Sequence, residues 1–148
     1  MGRILSIDYG KKRTGIAVTD PTRTIANPLT TVETNVLLDF ISQYIETEDV
    51  DGIIVGKPLQ PNGEASENMK RVEPFFNRLK KLYPELSVEY YDERFTSVLA
   101  HKAMIDSGIG RKARQDKALV DKISASIILE DYLENRRIQS ERENKNNS

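Results

Sequence analysis

Three carboxylates stand at positions where a sheet protein would gather them. Asp8 closes the apolar run Ile4-Leu5-Ser6-Ile7, and Glu93 follows a second run at 86–91. Asp121 leads a stretch in which Ser124, Ala125 and Ile128 recur at helical spacing. A lone carboxylate at the end of a central strand is costly unless it is paired or holds a cation. Carboxylates that converge to a few ångströms repel unless a cation intervenes. Hard oxygen donors without Cys or a His cluster favour magnesium or manganese. Two such ions about 4 Å apart activate water and stabilise a leaving oxygen, which is the chemistry of phosphodiester hydrolysis. Each acid also has a plain structural reading. Asp8 could accept hydrogen bonds from the tight turn behind it, Asp121 could be a first-turn acid on the helix dipole, and Glu93 could pair with Arg94 or Arg13. The residues alone leave both sets of readings open.

Bases flank these acids. Lys11, Lys12 and Arg13 lie in the turn after Asp8, and Arg94 follows Glu93, placed either to clamp a phosphate or to anchor that glutamate. From Arg111 to Lys117 there are four bases, Arg111, Lys112, Arg114 and Lys117, against one acid. With Gly108 and Gly110 ahead of it, this segment reads as a mobile basic loop. Such groups give phosphate contacts, which supply affinity without sequence choice; the plain alternative is a solvated surface. His101, the only histidine, falls mid-helix with no evident acid or nucleophile beside it. Tyr90 and Tyr91 could stack on bases, but alternating strand aromatics also serve as core.

The elements that must position these groups follow from periodicity. Residues 3–8 read as a strand with Ile4, Ser6 and Asp8 on one face, and 14–19 as its antiparallel neighbour across a short glycine-containing connection. A third strand is expected near Ile25–Val32. Leu37, Leu38, Ile41, Tyr44 and Ile45 mark an amphipathic helix over 35–47. Gly52-Ile53-Ile54-Val55-Gly56 is the pattern of a buried parallel strand. A Pro- and Gly-containing loop follows at 57–65, then a helix capped by Ser66 and ending near Leu82, with Pro74 as a kink. After the strand at 86–91 come a helix from Thr96 to about Ser107 and a last helix over 117–137. An antiparallel start followed by helix-linked parallel strands predicts an α/β domain, a mixed sheet with helices on both sides. Apolar residues nearly vanish from Glu134 onward, so a domain over 1–138 with a disordered polar tail at 139–148 is expected.

Composition narrows the classes. The 148 residues suit one domain; 38% are hydrophobic and 30% charged, which excludes a disordered or fibrous chain. A net charge of −1 does not by itself mark a nucleic-acid binder. The lack of cysteine excludes disulfides, thiolate metal sites and thiol catalysis. No apolar run approaches a membrane span, and Arg3 and Asp8 interrupt any apolar leader, so a cytoplasmic location is expected.

Four segments resemble the motifs of the bacterial YqgF family, also called RuvX, in the family's order: Asp8-Tyr9-Gly10-Lys11-Lys12-Arg13-Thr14-Gly15 with the strand after it, Val55-Gly56-Lys57-Pro58-Leu59 with Asn62-Gly63, Asp92-Glu93-Arg94-Phe95-Thr96-Ser97, and Asp121-Lys122-Ile123-Ser124-Ala125. The resemblance covers residues 3 to about 134. It implies a ribonuclease H-like fold, a five-stranded mixed sheet whose first three strands are antiparallel, related to the RuvC resolvases. It also implies that Asp8, Glu93 and Asp121 are the catalytic, metal-binding acids, holding Mg2+ or Mn2+ at a two-metal site. Ser124-Ala125 stands where Ala-Ala is usual, and Ser124 sits where RuvC-like enzymes tend to offer a further acid.

The family is described both as Holliday-junction resolvases and as nucleases maturing the 5′ end of precursor 16S ribosomal RNA, and the RNA role is the expectation here. The expected partners are nucleic acid, with precursor rRNA ahead of branched DNA, and a ribosome precursor. No membrane is expected, and the chain itself is expected to be a monomer or a weak homodimer. Lys11, Lys12, Arg13, Arg94, Arg111, Lys112 and Arg114 would contact the nucleic acid. The rivals are a junction resolvase, which needs a symmetric dimer to cut two strands, and a ribosomal-RNA-binding assembly factor that does not cut. A sugar-kinase-like phosphotransferase needs two lobes, and 148 residues leave room for one.

Overall fold

The computed structural model describes residues 2–58, 62, 66–92 and 117–146. Five strands, β1 (Arg3–Asp8), β2 (Arg13–Thr19), β3 (Ala26–Glu33), β4 (Val50–Lys57) and β5 (Ser87–Asp92), form one sheet in the order β3-β2-β1-β4-β5. β1 pairs antiparallel with β2 and β2 with β3, whereas β1–β4 and β4–β5 are parallel. This is the five-stranded mixed sheet, antiparallel over its first three strands, that the sequence leads one to expect. The three parallel strands all end at one edge, marked by Asp8, Lys57 and Asp92.

Period-two alternation divides the core between the two faces. Leu5 and Ile7 of β1 join Ile53, Val55 and Val88 under α1 (Leu37–Thr47) and α2 (Met69–Leu82), which contribute Leu37, Ile41, Val72, Phe75, Phe76 and Leu79. Ile4, Ala17, Ile54 and Tyr91 face the other way, under Ala125, Ile128 and Leu129 of α3 (Lys117–Asn146). α3 lies mainly across β2, β3 and β1. Tyr91 fastens β5 to it: the phenol donates to Asp131 Oδ2 at 2.5 Å and accepts from the Asn135 amide. Burial, and then the Asp131 carboxylate, push its pKa up, so it stays a donor. Tyr90, on the other face, stacks on Phe76 with ring centroids 3.7 Å apart. Both tyrosines are core.

Two helix ends differ from the periodicity. Ser66 does not cap α2; the helix begins at Met69, which bonds back to the Ser66 carbonyl, and Asn68 holds the cap position. The helix runs on through Pro74 to Leu82, since a proline deletes one intrahelical bond and need not end the helix. α3 continues through Asn146, where apolar periodicity predicts an end near 137 and a polar tail from 139. Arg137 pairs there with Glu134 and Glu141 at helical spacing, a local source of helix stability that needs no core. The expected helix at 96–107 and the basic loop at 110–116 lie outside the described residues.

Candidate functional site

Asp8 is the last residue of β1 and shares the α3-facing side of the strand with Ile4 and Ser6. Its partner in β2 is Gly15, and the Cα atoms of such an antiparallel pair lie about 5 Å apart. At Gly15 the backbone of α3 comes down onto β2. A Cβ built on this glycine would fall 2.0 Å from the carbonyl oxygen of Asp121. Only the missing side chain lets the helix descend that far, and it brings Asp121 across Gly15 from Asp8. Two of the three acids singled out in the sequence thus lie at the same end of the sheet, on its α3-facing side.

Asp121 is the fifth residue of the described helix, and the first turn of α3 holds no acid. The helix-dipole reading of Asp121 therefore fails, because that effect fades within the first turn. Instead its Oδ2 accepts from Arg13 Nε at 3.1 Å, with the two side chains 28% and 38% exposed. Arg13 is accordingly held on Asp121, which settles its choice of acid among the described residues. An ion pair this exposed contributes on the order of 1 kcal/mol or less, so a divalent cation can displace it.

The turn between Asp8 and Arg13 is clamped from behind. Thr34 Oγ1 donates to the Gly10 carbonyl at 2.7 Å and lies 2.9 Å from Thr14 Oγ1. The Thr34 N–H donates to the Lys12 carbonyl at 2.9 Å, and Asn68 Nδ2 donates to the Tyr9 carbonyl at 2.9 Å. A Cβ on Gly10 would meet the Arg13 carbonyl oxygen at 2.2 Å, so the turn closes too tightly for any other residue. The exposed Lys11 and Lys12 side chains are left at its tip. Thr34→Val keeps the branched shape and deletes the hydroxyl. We expect it to cost about 1 kcal/mol in urea unfolding and to speed amide exchange at 10–13 while leaving the sheet protected.

The donor set fits a hard divalent cation. Among the described residues it offers two carboxylates on one face of the sheet and no sulfur or imidazole, and the glycine seat brings the backbone that carries Asp121 down onto β2 beside Asp8's strand. Among the described residues no third acid or histidine joins them. Glu93 lies outside the described residues, as do Arg94, Arg111, Lys112 and Arg114. Thr14, Gly15, Thr34 and Asn68 were not singled out in the sequence as site residues. An isolated glycine inside a strand pattern does signal close backbone approach, and that clue was present at Gly15.

A family model described as "RuvX: Holliday junction resolvase" matches residues 2–135. A protein of Bacteroides fragilis named "Putative pre-16S rRNA nuclease" is 60% identical over 138 residues, 93% of this chain and 100% of that one. One of Bacteroides thetaiotaomicron with the same name is 62% identical over 137 residues, 93% of this chain and 99% of that one. A solved Thermus thermophilus RuvC, in complex with Holliday junction substrate, aligns over 89% of this chain and 94% of its own with a TM-score of 0.48 and 11% identity, too remote to bear on function.

Proposed function

This chain belongs to the RuvX family, and from that premise we propose that it is a nuclease, a phosphodiester hydrolase that processes the 5′ end of precursor 16S ribosomal RNA in the cytoplasm. The observation that carries the reading is the seating of Asp121 on Gly15, opposite Asp8 in the sheet register. Near full-length identity to proteins named for pre-16S rRNA supports the choice of substrate.

In this reading Asp8, Glu93 and Asp121 hold one or two Mg2+ or Mn2+ ions. Bound there, such ions supply an activated water and charge stabilisation of the leaving oxygen. Asp8 presents its carboxylate from a strand end that cannot drift, because the turn behind it is bonded to Thr34 and Asn68. Arg13 holds Asp121 in place when no cation does. Lys11 and Lys12 project from the same turn toward a phosphate backbone, with Arg94, Arg111, Lys112 and Arg114 as the further bases of the interface.

The test is cleavage of a precursor 16S 5′ fragment beside a four-way DNA junction, with Mg2+ or Mn2+ and with EDTA. Metal-dependent cutting of the RNA, with the junction cut more slowly, supports the reading. Cutting of the junction alone would transfer it to DNA resolution. Binding of the RNA with no cutting under any metal would leave an assembly factor.

A further inference from the structure

A second feature lies on the opposite layer from the acids. Between the start of α1 and the outer face of α2 is an open groove of about 600 Å³. Arg71, Arg78 and Lys81 line it together with Asn35, Asn77 and Tyr9. None of its described lining residues is acidic. The three bases are exposed and form no ion pair among the described residues, unlike Arg3, Arg13, Arg23 and Arg137, which each sit on a carboxylate. Their positions recur at seven and three residues along α2, which places them on one stripe. That stripe is about 15 Å long at 1.5 Å per residue.

The groove and the site share the turn that follows β1. Tyr9 follows Asp8 directly, and its ring packs on Phe75 of α2 with centroids 5.0 Å apart. Thr34, which clamps the Tyr9–Lys12 turn, also lines the groove.

We infer that this groove binds the phosphodiester backbone of the RNA strand that flanks the scissile bond, with Arg71, Arg78 and Lys81 as its phosphate contacts. The inference rests on the nuclease reading for the identity of the strand. Its own evidence is three exposed bases with no ion pair among the described residues, two asparagines and no described acid lining one concavity, which suits a polyanion and disfavours an apolar partner segment. Arginine is suited to this role because its planar fork meets phosphate oxygens two at a time.

The test measures binding alone, so it is separable from cleavage. Full-length protein is titrated with a labelled single-stranded RNA at several salt concentrations in EDTA, with the four-way DNA junction as a second probe. Replacing Arg71, Arg78 and Lys81 together by glutamine should lower the slope of log affinity against log salt by about 2, at about 0.7 per phosphate contact on a single strand. Arg78→Gln alone should lower it by about 0.7 and keeps the test open if the triple variant is unstable. A charge-matched control, Lys80→Gln with Arg136→Gln and Arg142→Gln, removes three bases that do not line the groove and should leave the slope unchanged. An unchanged slope in the triple variant, an equal fall in the control, or a fall seen only with the junction would each overturn the inference. A fall on RNA in a protein that cuts nothing would uphold the groove and refute the nuclease reading.

Discussion

Asp8→Asn should reduce metal-dependent RNA cleavage by about 10³-fold or more while the protein stays folded. Asparagine keeps the size of the side chain and an acceptor oxygen for the turn, so the loss falls on charge. Metal-centred charge stabilisation is worth several kcal/mol, and each 1.36 kcal/mol is tenfold in rate. Asp8 has neighbours and is only partly buried, so melting should shift little. Cleavage rates at saturating Mn2+ beside a thermal melt check both halves. Activity within tenfold of the parent would remove Asp8 from the metal site.

The second large effect belongs to a residue with no side chain. Gly15→Ala would place a Cβ 2.0 Å from the Asp121 carbonyl oxygen, 2.3 Å from its carbon and 2.9 Å from the Lys122 nitrogen. All three are helix backbone atoms, so no rotamer change can relieve the clash and α3 must lift from β2. Overpacking of this kind costs about 1–3 kcal/mol and occasionally more. Lifting α3 also carries Asp121 away from Asp8, so cation affinity should fall along with stability. Gly52→Ala is the internal contrast: its nearest contact, the Ser87 carbonyl oxygen, would be at 3.2 Å, which a shift of a few tenths of an ångström relieves. Urea unfolding of the two variants should separate by at least about 1 kcal/mol. Equal stability would mean that α3 does not rest on Gly15.

Much of this was legible in the chain before folding. The two-residue alternation of Ile4, Ser6 and Asp8 gave the face of β1, the unbroken apolar run at 52–56 gave a strand buried on both sides, and the Ala125–Ile128 spacing gave the buried side of α3. These patterns are local, and burial enforces them. What the chain did not disclose is long-range pairing. Arg13 and Asp121 are 108 positions apart, and nothing in their neighbourhoods names the other; only the sheet order and the descent of α3 on Gly15 bring them together. Thr34 and Asn68 clamp the first turn from a distance for the same reason. Apolar periodicity ends α3 too early because exposed charged turns continue a helix without a core, through pairs such as Arg137 with Glu134.

The end of β1 and the second turn of α3 together carry the proposed cation site. Mn2+ titration followed by paramagnetic resonance tests it most directly, on the parent protein, Asp8→Asn and Asp121→Asn. The account predicts that the parent binds Mn2+ and that each substitution weakens binding at least tenfold, about 1.4 kcal/mol, with the fold intact by circular dichroism. Binding unaltered by both substitutions would contradict it.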